Sequence, residues 1–191
     1  MDDWNLSELA EVAASDRASK QPRPVTAPLT PARSFMDDIR SNSMSKENAE
    51  VARAYYADID RTLKAYWASS EVALSASAET QAIIERLHRE VVWKPPFRSA
   101  DEGYRGPEGI RRALDDLVEA IEDWRITVED VFEAGEGRVL VTGSSHVRGK
   151  GSGVTFDQRV FSVITFRDGK IAQVEDFTER SEALEAAGLS E

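Results

Sequence analysis

The feature that most constrains this chain is a change in hydrophobic period near residue 123. Before it, apolar residues recur at helical spacing. Val51, Tyr55, Ile59 and Leu63 form one stripe, with Ser45 available as an N-cap, and Ile83, Ile84 and Leu87 form a second. Ile110, Leu114, Leu117, Val118 and Ile121 form a third, behind Gly106-Pro107, where proline suits the first helical position. After residue 123 the period is two. Trp124-Ile126-Val128 and residues 138–147, 154–166 and 171–177 read as strands. Between them stand Gly135-Glu136-Gly137, the run Gly149-Lys150-Gly151-Ser152-Gly153, and Arg167-Asp168-Gly169-Lys170, all turn formers. Val91-Val92-Trp93 predicts a short strand stopped by Pro95-Pro96, and residues 179–187 predict a closing helix with Gly188 just beyond it. Helices first and an antiparallel meander afterwards define an α+β fold, with the helices segregated from a curled sheet.

Residues 1–43 differ in kind: four of the seven prolines (Pro22, Pro24, Pro28, Pro31) lie there among Ser, Ala, Thr and Arg. They predict a flexible extension ahead of a domain over 44–191. Trp4, Leu6, Leu9 and Val12 fit either a short amphipathic turn or a frayed terminus. The acids and bases of the extension nearly cancel, so most of the formal net charge of -11 belongs to the domain and repels a polyphosphate. Nucleic acid is not an expected partner. With no cysteine, thiol nucleophiles and thiolate zinc sites are excluded. Two distant histidines make no metal motif, and the 149–153 run joins strand to strand, so it is not a phosphate loop. No cofactor is expected. No apolar run reaches the roughly 20 residues a bilayer requires, and Met1-Asp2-Asp3-Trp4 lacks the order of a signal peptide, so a cytoplasmic protein without a membrane partner is expected.

Several segments, taken in order, resemble the SnoaL-like branch of the ketosteroid-isomerase and nuclear-transport-factor-like superfamily. Met44-Ser45-Lys46-Glu47-Asn48-Ala49-Glu50-Val51 is similar to the usual beginning of such proteins. Ala78-Glu79-Thr80-Gln81-Ala82-Ile83-Ile84-Glu85-Arg86-Leu87-His88 before Val91-Val92-Trp93 resembles the second helix and first strand. Tyr104-Arg105-Gly106-Pro107-Glu108-Gly109-Ile110-Arg111 is similar to the start of the third helix. Phe166-Arg167-Asp168-Gly169-Lys170-Ile171, and the tail from Phe177 to Leu189, resemble the last hairpin and closing segment. The stretch between Tyr56 and Ala78 is longer than usual, a departure at the rim of the fold.

The resemblance implies a cone: a strongly curved antiparallel sheet wrapped around N-terminal helices, with a pocket between them and often a homodimer through the sheet's outer face. It does not imply one reaction. The isomerase mechanism needs a carboxylate base before the proline that ends the first strand, and Lys94 stands there. The strand position of its second acidic donor falls on Ser162, and only the tyrosine, as Tyr55 or Tyr56, is kept. That mechanism is disfavoured.

Strand alternation supplies the rest of a candidate pocket. Gln158 and Ser162 share one face of their strand, as do Asp176 and Thr178 of theirs; a hairpin closing at 149–153 is expected to add Ser144, His146 and Arg148. Tyr55 or Tyr56, Trp93 and Tyr104 form the aromatic rim. His146 with Asp176 is the candidate acid/base dyad, and Tyr55, Tyr56, Trp93, Tyr104, Arg148, Gln158 and Ser162 are the candidate ligand contacts. Each has a plainer alternative: a hydrogen-bonded strand histidine, a solvent-facing arginine, aromatic core. The expected function is binding of a small, mostly apolar organic molecule, with cyclase, isomerase or hydratase chemistry. The alternative is a non-catalytic homodimeric interaction module using Phe161 and Val163, which alternation turns outward.

Overall fold

The computed structural model describes residues 46–69, 74, 77–96, 103–135 and 137–189. The extension over 1–43 and the Ser45 cap lie outside the described residues. Helix α1 (Lys46–Ser69) buries Tyr55, Ile59 and Leu63 of the stripe that the spacing predicts, leaves Val51 half-buried, and buries Ala49, Ala52 and Tyr56 besides. It also buries Asp58, whose carboxylate accepts from Arg61 at 2.8 Å and from Arg86 Nε at 2.7 Å. The Arg86 bond ties α1 to the chain beyond α2 (Ala78–Glu85), whose N-cap is Ser77, its hydroxyl accepting from the Thr80 N–H at 3.0 Å.

Leu87, expected on the α2 stripe, instead opens strand β1 (Leu87–Lys94). The Arg86 carbonyl accepts from the Ile171 N–H, and Leu87 lies beside Ile171 in the sheet, so strand pairing ends the helix two residues early. Strand β2 (Tyr104–Arg105) leads into α3 (Gly106–Ala120), which carries Pro107 in its first turn. Ile121, the last residue of the predicted helical stripe, begins β3 (Ile121–Glu133), opposite Gly149. Then come β4 (Arg138–Gly149), β5 (Thr155–Arg167), β6 (Lys170–Phe177) and α4 (Arg180–Ala187).

The six strands form one curved, unclosed sheet in the order β2-β1-β6-β5-β4-β3. Every neighbouring pair is antiparallel except β1 with β6. Register shifts bend it, one of them between Val128 and Asp130 opposite Gly143. A Cβ on Gly143 would collide with the Thr127 carbonyl, so glycine is what allows β4 to hug β3 at the bend.

The two faces have different covers. On the concave face α1, α2 and α3 pack over Val131, Val139, Val141, Ile164, Ile171 and Val174. On the convex face Phe132, Leu140, Phe161 and Val163 form a second cluster with Ala183, Leu184 and Ala187 of α4. Gly188 caps that helix, and Arg138 Nη1 donates to the Ala186 carbonyl at 2.9 Å. Phe161 and Val163 thus do face outward, but at 8% and 4% exposure they are spent on α4 and are not a free interface.

Candidate functional site

On the concave face β5 and β6 place Ser162 directly opposite Asp176, and β1 places Trp93 beside Val174. Three strands thereby converge on one carboxyl group. The Ser162 hydroxyl donates to Asp176 Oδ1, and the Trp93 indole N–H donates to Oδ2 at 2.6 Å. The Trp93 ring stacks on Tyr104, with centroids 5.5 Å apart and planes 24° apart, and the Tyr104 hydroxyl donates to Asp116 of α3 at 3.4 Å. From α1 come Tyr55 and Tyr56, edge to face at 5.2 Å. Both phenols are buried, and among the described residues the Tyr56 hydroxyl meets a full hydrogen-bond geometry with no partner, the Ser162 hydroxyl being its polar neighbour.

Removal of the Asp176 carboxyl from water raises its pKa; the Ser162 and Trp93 hydrogen bonds pull against that rise, and the Glu175 charge adds to it. Burial, followed by the Asp176 charge, pushes Tyr55 up. The same two causes and Tyr55 push Tyr56 well above the ordinary phenol value, opposed by nearby Ser162. Both tyrosines therefore stay protonated, while the Asp176 carboxyl holds its proton to a higher pH than an ordinary aspartate does.

The sequence model of the SnoaL-like domain family matches residues 71–174, more than half of the chain. The chain belongs to the SnoaL-like domain family. Against the curated proteins the sequence finds no match. Among solved structures, this SnoaL-like domain is similar to a nuclear-transport-factor-like protein of unknown function from Burkholderia pseudomallei, at 18% identity over 74% of this chain and 97% of that one, with TM-score 0.56. It is similar to TerC, crystallised with polyporic acid, at 21% identity over 74% and 98% of the two chains, with TM-score 0.54. A protein from Jannaschia described as a SnoaL-like polyketide cyclase matches at 15% identity over 78% and 97%, with TM-score 0.54. At these identities the likeness is one of fold.

The SnoaL-like domain gathers some of the expected site residues and parts others. Tyr55, Tyr56, Trp93, Tyr104, Ser162 and Asp176 come together as described. Gln158 is on the concave strand face with Ser162, half-buried, toward the other end of β5, while Thr178 lies past the end of β6 and is exposed. His146 and Arg148 are on the convex face. The β4–β5 register pairs Val141 with Ser162 and Ser145 with Gln158, so the odd-numbered residues of β4 share a face with the even-numbered residues of β5. The expected His146–Asp176 dyad is not formed. His146 Nδ1 is hydrogen-bonded instead to Asp157 at 2.8 Å, and Arg148 is paired with Glu122 at 2.9 Å. His146 lines a shallow polar depression of about 290 Å3 with Arg125, Thr127, Ser144 and Asp157. Among the described residues no cluster of three or more His, Cys, Asp or Glu could hold a metal, and no helix is long and apolar enough to cross a membrane.

Sequence reasoning missed two contacts. Trp93 and Asp176 are 83 residues apart, and their bond depends on the parallel β1–β6 pairing, which no local pattern reports. Asp157 as the partner of His146 was within reach, because the number of residues in the β4–β5 turn fixes which residues face each other.

Proposed function

We propose that the chain binds a small, mostly apolar organic molecule against the concave face of its sheet and acts on it by proton transfer at Asp176, in a reaction of the cyclase, isomerase or hydratase type. The observation that carries this reading is a desolvated carboxyl, clamped by two donors, beside a buried phenol whose hydroxyl, near Ser162, is left without a well-formed hydrogen bond among the described residues. A buried unpaired hydroxyl is costly unless something else pairs with it, and an oxygen on a ligand is a fitting partner. Trp93 and Tyr104, with Tyr55, supply the apolar walls.

For a cyclisation the steps balance as follows. Ionised Asp176 takes a proton from a carbon next to a carbonyl, and the Tyr56 hydroxyl holds the enolate oxygen that develops. The carbon bonds to a second carbonyl carbon of the same molecule, and Asp176 returns the proton to the new alkoxide. One carboxyl of raised pKa serves both half-steps. The Lys94 position offers no second base, since its ammonium is paired with Glu175 at 3.3 Å. The fold likeness to TerC and to the Jannaschia protein supports a small-molecule reading without naming the substrate.

Mass spectrometry of the denatured protein tests for a co-purified small molecule, and 1H-15N NMR with 2-naphthol or polyporic acid tests the location. The expected result is movement of the Trp93 indole cross-peak, assigned by its loss in Trp93→Phe, with the His146 neighbourhood unmoved. Shifts confined to the convex face, or none with either probe and no co-purified molecule, would overturn the reading.

A further inference from the structure

The two donors on Asp176 are chemically unequal, and the difference decides where its proton goes. An indole N–H only donates, whereas a serine hydroxyl both donates and accepts and turns freely about its C–O bond. Asp176 Oδ2, facing Trp93, must therefore remain an acceptor in both protonation states. Oδ1, facing Ser162, has a partner able to reverse its role.

We infer that Trp93 and Ser162 are positioning residues for Asp176: Trp93 pins Oδ2 as a permanent acceptor, and Ser162 reverses its hydroxyl so that Oδ1 gains and loses the proton without the pair breaking. In the ionised state Ser162 donates to Oδ1. In the protonated state Oδ1–H donates to Ser162, whose own hydrogen is then free to turn toward the Tyr56 hydroxyl oxygen. No atom other than the one exchanged proton is gained or lost.

The surroundings hold both donors in place. Trp93 is stacked on Tyr104, which is buried against α3, so the indole cannot swing away without breaking the stack. Ser162 is 4% exposed on a strand flanked by β4 and β6, leaving only its hydroxyl rotor free. The polar atoms of both side chains thus serve the carboxyl. The inference rests on the proposed role of Asp176, but its test needs no substrate.

The test is NMR of the full chain labelled with 13C at the aspartate carboxyls, with the Asp176 signal assigned by its loss in Asp176→Asn. Trp93→Phe and Ser162→Ala each remove a donor that favours the carboxylate, so the Asp176 titration midpoint should move upward in both, while Ser162→Thr restores it. In the unsubstituted protein the Trp93 indole proton should stay hydrogen-bonded, and downfield, on both sides of the midpoint. An unchanged midpoint in folded Trp93→Phe and Ser162→Ala, or an indole resonance that moves all the way to the position of an unbonded indole N–H when Asp176 takes its proton, overturns the inference; a partial upfield shift is what a bond to a neutral carboxyl gives. If Ser162→Ala fails to fold, Trp93→Phe and the indole resonance still decide it. Loss of the small-molecule reading would show instead as absent ligand shifts with these titrations intact.

Discussion

Asp176 sits where solvation and hydrogen bonding oppose each other, and the balance has a pH signature. Because burial holds its folded-state pKa above the ordinary Asp value, the folded chain binds more protons than the unfolded one between those two values. Stability from this group is therefore present below the unfolded pKa and is lost as pH rises through the folded one. Asparagine removes the titration. Its Oδ1 accepts from the Trp93 indole, and its amide donates to a reversed Ser162 hydroxyl, so both contacts survive. The stability difference between Asp176→Asn and the parent should move in favour of the variant as pH rises above the ordinary Asp value, measured by urea unfolding at a series of pH values. A difference that does not change with pH would place the carboxyl in solvent. That Ser162 and Asp176 share a face was legible in the strand alternation; that the serine and Trp93 bind the aspartate itself was not, because that contact needs the third strand.

At the scale of the element, a single extra residue decides which carboxylate is inside. The β5–β6 hairpin turns at Asp168-Gly169, with φ of 52° and 71°, and pairs Arg167 with Lys170 and Phe166 with Ile171. Had that register continued, Ser162 would face Glu175; the irregularity at Ala172, which leaves Thr165 opposite Gln173, brings Asp176 to it instead. Bulges of this kind leave little mark on a hydrophobic pattern, which is why the strands were legible and the register that sets Asp176 opposite Ser162 was not. The bend at Gly143 is testable in the same terms. Gly143→Ala drives a methyl into the Thr127 carbonyl and should cost about 1–3 kcal/mol in chemical unfolding. Closing helix α4 is a second such element, since its role shows only when Phe161 and Val163 are seen beneath it. Leu184→Ala opens a cavity there and should cost about 2–5 kcal/mol, read as a lowered urea midpoint.

Over the whole molecule the curved sheet separates two polar sets that a sequence reading joins into one. The concave set is Asp176, Ser162, Trp93 and the tyrosines. The convex set is a row of crossed charges: Arg125 with Asp123 at 2.9 Å, His146 with Asp157, and Arg159 with Glu129 at 2.7 Å. The sheet itself stands between them, so substitutions in the two sets should act independently. The Asp157 side chain is 80% exposed, and an ion pair in that setting contributes little. His146→Ala should therefore change unfolding free energy by no more than about 0.5 kcal/mol. It should leave turnover, ligand-induced movement of the Trp93 indole signal and the Asp176 titration as they are in the parent. Tyr56→Phe should do the reverse. Removing a hydroxyl that has no well-formed hydrogen bond among the described residues costs the fold little, yet ligands bearing an oxygen should bind roughly tenfold more weakly, equivalent to about 1.4 kcal/mol. Titrating both variants with one oxygenated probe and with its hydrocarbon analogue separates the cases: the oxygenated probe should lose affinity only in Tyr56→Phe, and the hydrocarbon in neither. Loss of binding in His146→Ala would mean that the ligand meets the convex face after all.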